Sequence, residues 1–273
     1  MTTMPQSSSR PEPNPQFGVE LVRDWASRGD PRATVVLVHG IAEHSGRYEG
    51  LGILLADAGL HIRSFDLRGA GASGGPRWDI EDWGLYLDQI ERHVRWATSQ
   101  NRPVVLMGHS LGATLVLDYV LDGRVAPDLL VASAPAISAG AAWQRAVAPL
   151  LARIAPTAAV PNRVKGHQLS KDPKVGEEYF ADPLVCPTST PRLGINFFRA
   201  MDRVRDGVAR LDLPTLVVHG GDDTLVPPQT TAFLAENQSV DRILYPGLRH
   251  ELHNEPEGPQ VISDIVEWID RHI

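Results

Sequence analysis

VVLMGHSLGATLVLDYVL, Val104–Leu121, passes from one unbroken apolar run to a helix-compatible one through Gly108-His109-Ser110-Leu111-Gly112. Four apolar residues without polar alternation fit a strand buried on both faces of a parallel sheet. A serine between two glycines, at a sharp turn from strand to helix, is lifted to the sheet edge as a candidate nucleophile. The glycines let the two elements pack closely around that strained turn. A serine that only caps the helix is the competing reading, and the strand–turn–helix context argues against it.

Working outward, Ala33–Val38, Leu129–Ala134 and Thr215–Val218 are further apolar runs of strand length. Between them, Ile80, Trp83, Leu87, Ile90, Val94 and Ala97 recur at helical spacing, with Glu81, Asp88, Glu91 and Arg92 on the opposite face. Val261, Ile262, Ile265, Val266 and Ile269 repeat the pattern near the C-terminus. Strands alternating with helices predict an α/β fold, a mostly parallel central sheet with helices on both faces. Residues 136–205 break the alternation and predict a helical cap insertion, with Trp143, Val147, Leu150, Leu151 and Ile154 as one apolar face and Asn196–Arg203 as a short helix. Residues 17–135 and 206–273 then form the core. Residues 1–16, rich in Pro and Ser, read as a disordered N-terminal tail.

The 273 residues, 42% hydrophobic and 22% charged, are those of an ordinary globular chain. A net charge of −7 without a basic block argues against nucleic acid as a partner. The single cysteine, Cys186, excludes an internal disulfide and any metal site built from several thiolates. No apolar run reaches the roughly 18–20 residues of a membrane span, and no secretory signal is evident, so a cytoplasmic location is expected. Nothing selects an oligomeric state.

A nucleophilic serine needs a base and a carboxylate to orient that base, and on such a sheet they follow in the order Ser, Asp or Glu, His. His250, on the loop after the short strand Arg242–Tyr245, is the expected base; His253 is the nearby alternative, and His272 falls in the last helical turn. In His219-Gly220-Gly221-Asp222-Asp223 the glycines and Asp222 supply the turn, leaving Asp223 to reach the histidine. Developing negative charge on an ester oxygen would meet the backbone N–H groups of Leu111 and Ile41, the latter on the loop after Ala33–Val38.

HGIAEHSGRY at His39–Tyr48, DLRGAGASGG at Asp66–Gly75, GHSLG at Gly108–Gly112, LSKDPKVGEEYFADPLV at Leu169–Val185, HGGDD at His219–Asp223 and YPGLRHELHNE at Tyr245–Glu255 together resemble the α/β-hydrolases. Within them, the first and fourth of these stretches are the more specific and resemble the monoacylglycerol lipase group, related to lysophospholipase-like and serine aminopeptidase-like hydrolases. The resemblance implies Ser110, Asp223 and His250 as catalytic residues and a substrate pocket of Glu43, Arg47, His109, Tyr179 and His253 for the glycerol end. A structural Glu43–Arg47 ion pair and cap packing of Tyr179 are the plain alternatives. Leu150, Leu151 and Ile154 are expected along the acyl chain. Ala42, Ala70, Leu111 and Ala113 depart from the family's usual residues, and Ala42 adds a methyl to a tight loop.

The function so implied is cleavage of a small-molecule lipid ester through an acyl-enzyme, most specifically monoacylglycerol to glycerol and fatty acid, without cofactor or metal. Lysophospholipase or broad carboxylesterase activity is the alternative on the same machinery. A non-catalytic binding protein of this fold is the alternative of another class. An apolar cap opening adds the expectation of transient contact with membrane surfaces.

Overall fold

In the computed structural model, which describes residues 7–138 and 142–273, the apolar runs become neighbouring strands of one eight-stranded sheet. In chain order the elements are β1 (Ser7–Asn14), β2 (Gly18–Trp25), β3 (Thr34–Val38), α1 (Glu49–Asp57), β4 (His61–Phe65), α2 (Gly84–Thr98), β5 (Val104–His109), α3 (Leu111–Leu121) and β6 (Leu129–Ser133). Then come α4 (Ala142–Ile154), β7 (Val160–Pro161), α5 (Gly166–Leu169), α6 (Pro173–Ala181), β8 (Thr188–Ser189), α7 (Pro191–Gly207), β9 (Thr215–Gly220), β10 (Val240–Tyr245) and α8 (Gly258–Asp270). The sheet order is β1-β2-β4-β3-β5-β6-β9-β10, antiparallel at β1/β2 and β2/β4 and parallel from β4 onward.

The missing polar alternation has a direct cause, because successive strand residues enter two different cores. Val36, Val38, Leu106, Leu130 and Val217 pack with Ile90 and Val94 of α2 and Leu115 of α3. Val35, Leu37, Val105, Met107, Val131 and Leu216 pack with Leu51 and Leu55 of α1 and Ile265 and Trp268 of α8. The expected stripe is buried from Ile80 to Ala97, although α2 begins only at Gly84, so Ile80 and Trp83 reach the core from the segment that precedes the helix. Among the described residues no helix is long and apolar enough to cross a membrane.

Two expectations change. Residues 7–14 of the anticipated tail are the edge strand β1, paired with β2 from Ser7 opposite Trp25 to Asn14 opposite Gly18; residues 1–6 lie outside the described residues. Its polarity is that of a solvated edge, held by ion pairs Arg10–Asp24 at 2.6 Å and Glu12–Arg63 at 2.6 Å. Pro11 and Pro13, two apart, turn their missing N–H toward the same open side, so neither costs a ladder bond. In α4, Leu150 and Ile154 are 60% and 66% exposed, so the anticipated continuous apolar face is split between cavity and solvent. The side chain of Trp143 lies outside the described residues. The short helix at Asn196–Arg203 is part of the longer α7, which packs against α3 and α4.

The junction of β5 and α3 leaves no room for side chains. A Cβ on Gly112 would collide with the carbonyl oxygens of Val38 and His39, and one on Gly108 with the backbone of Gly112. Backbone cannot retreat as a flexible side chain can. Gly112→Ala should therefore lower the free energy of unfolding by about 1–3 kcal/mol in urea denaturation, the usual cost of overpacking; an unchanged midpoint would contradict this packing.

Candidate active site

Ser110 sits between β5 and α3 with φ +53° and ψ −116°, a conformation that L-residues rarely hold and that costs on the order of 1–3 kcal/mol. The surroundings enforce it. Its N–H donates to Ser133 O at 2.9 Å, and its carbonyl accepts from Thr114 N–H at 3.1 Å and Ala136 N–H at 3.3 Å. The turn leaves the side chain on the wall of a cavity of about 420 Å³.

β9 and β10 end on the same side and carry the next two residues. Gly220 has no space for a Cβ because Arg249 O lies against it, so the two loops run in contact. The Asp222 side chain is exposed, while its N–H donates to Leu248 O at 2.9 Å. Asp223 is buried. Its Oδ1 accepts from the N–H groups of Leu225 and Val226, both at 2.9 Å, and its Oδ2 accepts from His250 Nδ1 at 2.7 Å. Burial disfavours the Asp223 charge, but the attraction of His250, hydrogen bonds from His219 and His250 and the Val226 amide outweigh it and hold the carboxyl well below the usual range. Burial likewise disfavours protonated His250; attraction and hydrogen bonding from Asp223, with Glu251 and Glu43 adding to them, raise its pKa above that of an ordinary histidine. With Nδ1 donating to the carboxylate, Nε2 is the basic nitrogen, and His250 shares the cavity wall with Ser110. The histidine loop is also tied to α5, through Glu251 N–H to Leu169 O at 2.8 Å.

The loop after β3 turns at Ala42, whose φ of +70° would suit glycine better, and the added methyl is accommodated in a small cluster with Leu169 and Tyr179. Cys186 N–H donates to Ala42 O at 2.9 Å. Ile41 lines the cavity; Leu111, the first residue of α3, contributes an amide from the helix N-terminus, where N–H groups have no intrahelical acceptor.

Beside these groups lies a buried polar cluster. Glu43 Oε1 accepts from Gly40 N–H and Tyr48 O–H, both at 2.6 Å, and Oε2 accepts from Arg47 Nε at 3.0 Å. Arg47 Nη2 donates to both oxygens of Glu251, at 2.8 and 2.6 Å, and its guanidinium lies 4.7 Å from the centre of the Tyr179 ring. Burial works against the Glu43 charge, yet Arg47 and its hydrogen-bond donors hold Glu43 low, whereas burial and Glu43 push Glu251 up. His253 stacks on Tyr48 at 4.8 Å, and burial, with Arg47 and His250 adding to it, lowers its pKa to about 4. His109, against His250 at 4.8 Å, is pushed well below the ordinary histidine value, by burial and then by His250 and His253.

Of the residues singled out in the sequence, Ser110, His250, Ile41, Glu43, His109 and Tyr179 line the cavity. Asp223, Leu111, Arg47 and His253 stand behind them. Of the three acyl-side residues, Leu151 reaches the cavity, while Leu150 and Ile154 turn to solvent. Much of the remaining wall is apolar, with Val147 and Ala148 from α4 and Leu193, Phe197 and Phe198 from α7. Glu251 was missed, although it adjoins His250; only the fold brings it to Arg47, 204 positions away. Among the described residues, no three His, Cys, Asp or Glu side chains converge to hold a metal ion.

Known proteins resemble this chain over most of its length. A monoacylglycerol lipase of Mycolicibacterium smegmatis is 35% identical over 269 residues, spanning 94% of this chain and 95% of that protein. The monoglyceride lipase of Rattus norvegicus is 28% identical, spanning 92% and 86%. The crystal structure of Paleococcus ferrophilus monoacylglycerol lipase superposes with a TM-score of 0.84 at 30% identity, covering 92% of this chain and 98% of that one. A soluble variant of the Saccharomyces cerevisiae monoglyceride lipase, at 22% identity, shares the fold with a TM-score of 0.89 over 99% and 96% of the two chains. The serine aminopeptidase S33 profile matches residues 29–257, and the chain belongs to that family of α/β-hydrolases.

Proposed function

We propose that this protein hydrolyses monoacylglycerols to glycerol and a fatty acid through an acyl-enzyme on Ser110. The observation that carries the reading is the 2.7 Å hydrogen bond from His250 to Asp223, made on the wall of a cavity that also holds the strained Ser110. His250 Nε2 takes the Ser110 hydroxyl proton as Oγ attacks the ester carbonyl. The N–H groups of Ile41 and Leu111 stabilise the oxyanion of the tetrahedral intermediate. His250 then gives its proton to the departing glycerol oxygen as the ester C–O bond breaks. Water repeats the sequence on the acyl-enzyme, releasing the fatty acid and restoring Ser110. Asp223 keeps His250 in the right tautomer and offsets the imidazolium charge.

Substrate class rests on the relatives' activity and on a cavity that is mostly apolar with one polar end, which suits a single acyl chain on a small polyol. Glu43, Arg47, His109, Tyr179 and His253 form or support that polar end. Residues 136–205 act as a cap over the site. Leu150 and Ile154 on α4, next to the cavity-lining Leu151, form a lipid-facing rim through which the protein makes transient contact with membrane surfaces while collecting substrate.

Ser110→Ala should reduce kcat on monoacylglycerols on the order of 10⁶-fold. Measured beside matched p-nitrophenyl esters and lysophospholipids, a serine-dependent preference for monoacylglycerols supports the proposal. Serine-dependent activity confined to the other esters would overturn the substrate class, and no activity on any of them would favour a binding protein.

The base must be unprotonated, and its pKa is raised. Hence kcat/KM should climb with pH through an inflection above the ordinary histidine value of about 6.5. Asp223→Asn should lower kcat on the order of 10⁴-fold and move that acid limb to lower pH. An inflection below the ordinary value in the unaltered protein would contradict the His250–Asp223 assignment.

Replacing Leu150 and Ile154 together by Ser should weaken co-sedimentation with phosphatidylcholine vesicles while leaving cleavage of a water-soluble butyrate ester unchanged. Equal sedimentation of both proteins would remove the rim from the account.

A further inference from the structure

The polar end of the cavity holds one cation and two carboxylates, arranged asymmetrically. Glu43 and Glu251 are cavity-lining residues, but Arg47 is not among them. The guanidinium donates to Glu43 through Nε and to both oxygens of Glu251 through Nη2, and the Tyr179 ring lies against it. Glu251 accepts a further hydrogen bond from Asn254 Nδ2 at 2.7 Å, so three hydrogen bonds, two of them from a guanidinium, favour its ionised form against the burial and the Glu43 charge that push its pKa up. With both carboxylates ionised, two negative charges against one guanidinium leave this end with one net negative charge. The neighbouring His109 and His253 do not offset it, since both are held below the ordinary histidine range.

We infer that Glu251 is a specificity-determining residue that restricts the alcohol side of the ester to uncharged groups and rejects alcohols bearing a phosphate or carboxylate. An anionic headgroup entering there would meet the carboxylates that line the cavity, with the Arg47 guanidinium already paired to both of them. Breaking that pairing to free Arg47 would strand a buried carboxylate. An uncharged polyol can instead donate its hydroxyls to the same oxygens. Without Glu251, Arg47 would keep only Glu43, and the cluster would carry no net charge. The inference rests on the ester-hydrolase reading above and adds the charge of the leaving group to it.

The test compares kcat/KM at pH 8, well above the ordinary carboxylate range, for 1-lauroylglycerol against 1-lauroylglycerol 3-phosphate, and for phenyl butyrate against 4-carboxyphenyl butyrate. The unaltered protein should favour the uncharged member of each pair by about 100-fold, as like charges in a buried site imply. Glu251→Gln should shrink that preference about tenfold or more, and Glu251→Asp, which keeps the charge, should retain it. An unaltered protein that cleaves both members of each pair alike overturns the inference without recourse to any variant. So does an unchanged preference in a Glu251→Gln protein that still reacts with a fluorophosphonate. If glycerol esters are not cleaved but phenyl butyrate is, the monoacylglycerol reading fails, and the butyrate pair still decides the charge selection.

Discussion

The contact of Gly112 with the carbonyl oxygens of Val38 and His39 brings β3, β5 and α3 to backbone distance, and the chemistry is built on that approach. It forces the sharp turn that holds Ser110 at φ +53° and sets the loop after β3, with Ile41, beside the N-terminus of α3. The strain at Ser110 and at Ala42 is borne by a sheet buried on both faces, whose two cores leave the strands little freedom to shift. β9 and β10 meet in the same way at Gly220 and Arg249, which brings His250 to Asp223. Two close backbone approaches, one on each side of β6, thus place the serine and the histidine on one cavity.

Electrostatics then divides the site by function. Asp223 keeps its charge in a buried place because four donors or positive groups surround it, and it passes the benefit to His250 as raised basicity. Beyond His109, which burial keeps uncharged, Arg47 is consumed by two carboxylates. One side of the site therefore holds an imidazole of raised basicity, and the other holds two carboxylates paired to Arg47. α4 and α7 supply the apolar wall between them.

Much of the sheet was readable because strands buried on both faces leave unbroken apolar runs, and the helices because their stripes have a period near 3.6. β1 was not, since an edge strand stabilised by Arg10–Asp24 and Glu12–Arg63 carries the composition of a solvated tail. Ser110 announced itself through the glycines its turn requires, and Asp223 and His250 through chain order and the loops that carry them. Glu251 lacked such a signal: its partner is Arg47, and only the meeting of the β3 and β10 loops makes them neighbours. The outward turn of Leu150 and Ile154 was hidden for a related reason, because a helix between a cavity and solvent can be apolar on both sides.

The central claim is that Ser110 is a nucleophile activated by His250. It is tested most directly by reacting the protein with a fluorophosphonate and locating the adduct by mass spectrometry of the intact chain and its peptides. One adduct per chain is expected, on the peptide containing Ser110, formed far more slowly when His250 is replaced by Ala. An adduct on another residue, or an equal rate without the histidine, would contradict it.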